Sequence, residues 1–311
     1  MTSIEKWQKA VVHLEGAADS IPFERKQIQI QQIQQKMGDG EYTDQEYMEM
    51  ISSIMNQGSR DIRSQGTAVF VEDEGRKYLI TARHVIEDTT NNGSDKIFNN
   101  IFRVISLDLS MQENAYHRDT NLVGLNSGPE EIRQYTLSIE HDLAVISLDS
   151  PGTKFFADDL IKDGYVPVSL NDIQNVDIDV GQDIISIGFP GITSLVGQRE
   201  LHPAQRYWAS SSISVPIASF GKIGMSNQHL DFYWADISIY PGNSGGPVVS
   251  NDKLVGIVSA QPGLAGDVYE TENGQKVNLQ VVNRVPFGMI VKSKYIFELI
   301  KIQREKDNRF R

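Results

Sequence analysis

Apolar positions along this chain follow two different periods. From about residue 66 onward they gather in short β-rich runs punctuated by Gly, Asn, Asp and Pro: 67–71, 78–81, 143–148, 183–187, 230–237, 247–249, 254–259 and 279–282. Many short strands with turn signals between them predict a β-barrel or sandwich. Before residue 62 the spacing is helical instead. Ile30, Ile33 and Met37 recur within 24–37, and Tyr47, Met50 or Ile51, and Ile54 recur within 44–56, so two amphipathic helices are expected. Thr43 with Glu46 three residues on forms a capping box for the second. Further upstream, residues 10–16 form a β-branched run ended by Gly16. A helix through Ile4, Trp7, Val11 and Leu14 would also fit, but a strand is preferred because a barrel needs more strands than 66–292 supplies. Residues 17–62 then become a helical insertion between the first two strands. Ile296, Leu299, Ile300 and Gln303 give 293–304 a helical pattern, followed by a charged tail expected to fray.

Composition narrows the class. With 40 % hydrophobic and 23 % charged residues, the chain is of ordinary globular type, which excludes disorder and collagen. The balance of 29 Lys and Arg against 41 Asp and Glu, a net charge of −12, argues against a general nucleic-acid or anionic-membrane binder, because polyanions bind through cations. The absence of cysteine removes disulfides, thiolate catalysis and Cys-based metal sites, and suits a reducing compartment. No apolar run reaches the roughly eighteen residues of a spanning helix, and the N-terminus lacks the apolar core of a signal peptide. The expectation is a cytoplasmic protein with no membrane partner.

The segment Gly242-Asn243-Ser244-Gly245-Gly246-Pro247 crowds glycines around one serine, where only a tight backbone requires them. It reads as a nucleophile site, with a Gly-rich loop bearing an incidental serine as the plain alternative. It also satisfies the GxSxG pattern of α/β-hydrolases. Chain order excludes that fold: its histidine follows the serine, and here His229 is the last histidine. Upstream, His84 follows the apolar run 79–82, and Asp142 precedes the run 143–148. Taken singly, His84 reads as a half-buried histidine and Asp142 as a strand-start residue; the order His, Asp, Ser makes them a set.

These three segments, T-A-x-H, D-L-A-V and G-N-S-G-G-P, resemble the signature regions of the trypsin-like (chymotrypsin-fold) serine proteases. Residues 66–71 resemble the strand before the family's histidine, and 254–259 the strand after its serine. In motif style, 181–190 and the Pro-Gly-Asn-Ser run are most similar to bacterial high-temperature-requirement (Deg) proteases. The resemblance covers roughly 66–292 plus the first strand. It implies a mostly β fold of two six-stranded antiparallel β-barrels, with a helical insertion near the N-terminus and a C-terminal helix. The expected layout is one protease unit over 1–311: first strand in 7–16, insertion 17–62, first barrel 63–165, second barrel 166–292, and C-terminal helix and tail 293–311.

The resemblance also assigns roles. Ser244 attacks a peptide carbonyl, His84 takes and returns its proton, and Asp142 fixes the imidazole. The backbone N–H groups of Gly242 and Ser244 form the oxyanion hole. By motif spacing Ser238 lies at the base of the primary pocket and Ser259, Ala260 and Gln261 form one wall. A neutral base offers no counter-charge to a buried Lys or Arg, so small or medium uncharged side chains are the expected preference. His141 is read as facing away from the site by strand alternation. His13, His117, His202 and His229 are read as structural or surface residues, and Arg83, Glu87 and Asp88 as solvated. No histidine pair has metal-ligand spacing, so neither metal nor cofactor is expected.

Two departures from the family pattern bear on control. Digestive relatives carry Asp before the serine to pair with a newly cut N-terminus, whereas Asn243 is neutral, so no zymogen switch is expected. No room is expected for the peptide-binding domain that Deg enzymes append. Control is therefore assigned to the 17–62 insertion, as a surface for a regulatory partner or self-association. The expected activity is serine endopeptidase action on protein or peptide substrates. An idle protease fold serving as a binding module, and an esterase using the same triad, are the alternatives.

Overall fold

Strands 67–71, 78–81 and 143–147 are apolar at nearly every position, which a sheet buried on both faces requires. The computed structural model describes residues 2–19, 21, 23–55, 57–58, 60–88, 96–98, 100–106, 121–123, 125, 129–150, 152–201, 209–272 and 275–310. Its first elements are helix α1 (Ser3–Gln8) and strand β1 (Val11–Asp19), so Trp7 lies on a short capped helix ahead of the strand. Helices α2 (Phe23–Gly38) and α3 (Asp44–Met55) follow, packed against each other. Strand β2 (Arg60–Asp73) then returns antiparallel along β1, with Asp19 opposite Arg60. The helical pair therefore stands at the tip of a two-stranded ribbon.

The N-terminal half continues with β3 (Arg76–Ala82), the helical turn α4 (Arg83–Ile86), β4 (Glu87–Asp88), β5 (Lys96–Ile97), β6 (Asn100–Arg103), β7 (Ile105–Ser106), β8 (Asn121–Val123), β9 (Tyr135–Ser138) and β10 (Leu143–Ser147). Helix α5 (Lys154–Lys162) and β11 (Val168–Ser169) complete it. The main sheet runs β8-β6-β1-β2-β3-β10-β9, with β11 added to β2. Alternate residues serve different cores. Val12, Leu14, Ala68, Phe70, Leu79 and Ile146 point to one that α5 covers with Phe156 and Leu160. Val11, Val69, Val71, Ile80, Leu143 and Val145 point to a second, shared with the C-terminal half.

In that half, β12 (Asp183–Gly188), the turn α6 (Gly191–Ser194), β13 (Leu195–Gln198), β14 (Ser212–Ser214), β15 (Ile217–Met225), β16 (Phe232–Asp236), β17 (Pro247–Ser250), β18 (Lys253–Ala260), β19 (Gly263–Glu272), β20 (Gln275–Arg284) and β21 (Phe287–Lys292) precede helix α7 (Lys294–Asp307). Six of these strands close a barrel in the order β12-β15-β16-β21-β18-β17, filled by Ile184, Ile223, Tyr233, Val255, Val258 and Ile290. Two closed barrels were expected, and one is found. Among the described residues the N-terminal strands form an open eight-stranded sheet, whose path ends on the three-residue β8 and the four-residue β9.

The C-terminal tail is not frayed. Helix α7 extends to Asp307, where Ser147 donates to its carboxylate (2.8 Å), and the buried Gln303 accepts from Thr136 (2.8 Å). Buried side-chain hydrogen bonds thus hold the last turns against β9 and β10.

His13 joins the two halves. Its ring is fully buried, stacks on Phe189 at 4.7 Å and meets the Ser214 hydroxyl at 3.0 Å. Burial lowers its pKa from 6.5 to about 3, so the folded protein holds the neutral imidazole. The unfolded chain takes up a proton below its ordinary value. This contribution is therefore complete above pH 6.5 and is lost as pH falls from there toward about 3. Urea unfolding should show about 3 kcal/mol less stability near pH 4.5 than near pH 7.5 from this group. His13→Phe should remove that part of the slope; an unchanged slope would refute the assignment.

Candidate active site

Register brings the histidine and the aspartate together. In the antiparallel pair β3–β10, Leu143 lies opposite Ala82, so the residues just beyond each strand end are neighbours. Arg83 N donates to the Asp142 carbonyl (3.0 Å), His84 N to Asp142 Oδ1 (3.2 Å), and His84 Nδ1 lies 2.8 Å from Asp142 Oδ2. Asp142 adopts φ +49°, a left-handed conformation that Asp tolerates better than most side chains. It occupies a turn, not a strand. His141 is accordingly turned away by that turn: its ring stacks on Tyr295 at 3.8 Å and Nδ1 lies 3.2 Å from Asp231.

Asp142 also accepts from the Ser259 hydroxyl at 2.6 Å. Burial alone would raise its pKa, but the hydrogen bond and charge of His84, then the Ser259 hydroxyl, outweigh it and hold the carboxyl below 3.8.

The serine loop is fixed from behind by Thr67. Thr67 N donates to the Ser244 carbonyl (2.7 Å), and its hydroxyl donates to the Gly242 carbonyl (2.8 Å) while accepting from Phe189 N (3.1 Å). No motif marks Thr67 as more than a strand residue. Gly242 (φ +101°) and Gly245 (φ +84°) take conformations that suit glycine, and a Cβ on either would run into the carbonyl of Phe189 or Thr67 respectively. With both carbonyls engaged, the N–H groups of Gly242 and Ser244 donate to no protein group among the described residues. The Ser244 hydroxyl donates to the Ser259 carbonyl (3.3 Å) and makes no hydrogen bond to His84. Asn243 is buried and its Oδ1 has no hydrogen-bond partner among the described residues, which a neutral side chain tolerates better than a charged one.

Two cavities meet at His84 and Ser244. One, of about 460 Å³, is lined by Asp142, Ile239, Tyr240, Ser259, Ala260, Gln261 and Arg284 among others. Ser259, Ala260 and Gln261 thus lie beside the serine. Ser238 does not: it is exposed and outside the lining, which includes its neighbours Ile239 and Tyr240. Arg284, which no motif identifies, donates to Gln261 Oε1 at 3.1 Å. The other cavity, of about 820 Å³, lies toward β1 and α4 and includes Glu15, Gln65, Glu87, Asp88 and Gly242. Glu87 and Asp88 are buried, contrary to their reading as solvated, and Arg83 Nη1 lies 2.6 Å from Glu87 across one helical turn. His229 is exposed, while His117 and His202 lie outside the described residues. No group of three His, Asp or Glu side chains is placed to hold a metal among the described residues, and no helix among them is long and apolar enough to cross a membrane.

A sequence profile of the trypsin-like peptidase domain matches residues 66–257. Serine protease PepD of Mycobacterium tuberculosis is 34 % identical over 113 residues, which are 36 % of this chain and 22 % of that relative's length. Two crystal structures of the Rv3671c protease in inactive form are similar in outline. One has a TM-score of 0.43 at 10 % identity, covering 96 % of this chain and 91 % of the other; the second, a serine-to-alanine mutant from M. tuberculosis, has 0.41 at 11 %, covering 96 % and 88 %.

Proposed function

We propose that this chain, which belongs to the trypsin-like peptidase family, is a serine endopeptidase working through Ser244, His84 and Asp142. The observation that carries the reading is the 2.8 Å contact of His84 Nδ1 with Asp142, formed where Ser244 faces the same cavities. The carboxylate keeps the proton on Nδ1 and leaves Nε2 free as the base. Catalysis begins when the Ser244 hydroxyl swings from the Ser259 carbonyl to Nε2; such contacts often form only with substrate bound. Ser244 Oγ then bonds to the substrate carbonyl carbon as its proton passes to His84. The oxyanion is received by the two undirected N–H groups of Gly242 and Ser244. His84 returns the proton to the leaving amine, and water releases the acyl group by the reverse sequence.

Arg284 beside the 460 Å³ cavity supports a preference against Lys and Arg on the acyl side, since among the described residues Asp142 is its lone carboxylate and already serves His84. Labelling by a fluorophosphonate probe, lost in Ser244→Ala, separates this reading from an idle binding module. A proteome-derived peptide digest separates a peptidase from an esterase.

The 17–62 insertion is proposed as a regulatory or self-association surface, on its place at the tip of the β1–β2 ribbon and its exposed Ile28 and Met48. Replacing residues 20–60 by a Gly/Ser linker should leave a probe-reactive enzyme with altered assembly or basal rate. If both match the wild type, that role is refuted.

A further inference from the structure

The two cavities that meet at Ser244 differ in charge. The smaller carries Arg284, and its carboxylate, Asp142, is engaged by His84. The larger carries three carboxylates, from Glu15, Glu87 and Asp88, and among the described residues neither Lys nor Arg in its lining. Glu87 is matched by Arg83 from outside the cavity, and Asp88 also has a partner. Glu15 is different. The residue is 1 % exposed, Oε1 accepts from Gln65 Nε2 at 3.1 Å, and Oε2 has no hydrogen-bond partner among the described residues. No cation of the described residues lies within ion-pair reach of it. A buried carboxylate oxygen left in this state is costly, and it is the kind of group that an incoming ligand satisfies.

Position defines which part of a substrate arrives there. A peptide held along Ser259, Ala260 and Gln261 places its acyl portion in the smaller cavity. The chain beyond the scissile bond must then leave across Gly242, past the other side of His84, into the larger one. We infer that this cavity receives a Lys or Arg side chain carried by one of the first two residues after the scissile bond, with Glu15 as its counter-charge. This rests on the endopeptidase reading and adds the substrate class to it. The opposed charges also orient the peptide, because Arg284 repels at one end the side chain that Glu15 attracts at the other.

The test uses internally quenched peptides that carry Lys, Arg, norleucine or Glu at each of those two positions. At one position the wild-type enzyme should cleave the Lys or Arg peptide with kcat/KM at least about tenfold above the norleucine peptide, and the Glu peptide should be poorest. In Glu15→Gln, which keeps the size and the Gln65 contact, the Lys-to-norleucine ratio should fall to within about twofold. The wild-type ratios alone decide the matter if that variant does not fold. Equal cleavage of Lys and norleucine peptides by a probe-reactive enzyme would overturn this inference and leave the endopeptidase reading intact. A ratio that persists in folded Glu15→Gln would also overturn it. Absence of both cleavage and probe labelling would remove the endopeptidase reading, and this inference with it.

Discussion

Replacing Ser244 or His84 by alanine should lower kcat/KM by about four to six orders of magnitude each, and the double variant should be little worse than either. Under the proposed mechanism the effects do not add because the pair acts as one device: without Nε2 the hydroxyl stays a poor nucleophile, and without the hydroxyl there is nothing to deprotonate. What survives is the residue contributed by binding and by the Gly242 and Ser244 N–H groups. Both variants should fold, since the Ser244 side chain makes a single 3.3 Å hydrogen bond and the His84 side chain is 41 % exposed. His141→Ala is the control. His141 adjoins Asp142 in sequence, but its ring is committed to Tyr295 and Asp231, so most of the activity should remain. Stopped assays on peptide substrates measure all four proteins. Comparable turnover by Ser244→Ala, or its collapse in His141→Ala, would refute the assignment of roles.

The three candidate segments are legible because each is local: a glycine-crowded serine, a histidine after an apolar strand, an aspartate before another. The antiparallel pairing of the last two, with Leu143 opposite Ala82, brings the histidine and the aspartate together, and the serine loop joins them through its packing on β2. What sequence did not disclose is set by how loops turn. Residues 237–240 lie outside any strand between β16 and the serine loop, so counting six positions back from Ser244 reaches Ser238, although its side chain faces solvent and Ile239 and Tyr240 face the cavity. Strand alternation does not set the direction of His141 either, because Glu140 to Asp142 form a turn. Charge was misjudged where tertiary structure overrides it. Glu87 and Asp88 look like a solvated pair, yet the ladder with β5 and the contact with Arg83 bury both. Asp307 likewise sits in a charged tail by composition but closes a network with Gln303 and Ser147. Thr67 carries no signal beyond its place in a β-rich run, and its hold on the serine loop becomes visible only when β2 is packed behind residues 242–244.

Asp142→Asn should reduce kcat by about four orders of magnitude while leaving the fold in place. Asn accepts the φ of +49° as readily as Asp, and it keeps the shape that α4 and Ser259 pack around. The change is in what the side chain offers. His84 N needs an acceptor at Oδ1, so the amide oxygen settles there and the NH₂ group faces His84 Nδ1 and the Ser259 hydroxyl. A donor opposite Nδ1 forces the imidazole proton onto Nε2, where it can no longer accept from Ser244. Ser259→Ala removes only one of the hydrogen bonds that hold the carboxyl below 3.8. Its activity should fall by only about tenfold, on the usual worth of a hydrogen bond to a charged group. A second readout separates electrostatics from simple damage. A carboxyl depressed by folding stabilises the protein above its ordinary value of 3.8 and loses that contribution as pH falls through the lower folded value. The Asn variant carries no such group, so its stability should decline less than the wild type's as pH falls below 3.8. An Asp142→Asn enzyme that retains a tenth or more of the wild-type kcat would show that His84 does not depend on this carboxylate for its tautomer, and the proposed division of labour would have to be abandoned.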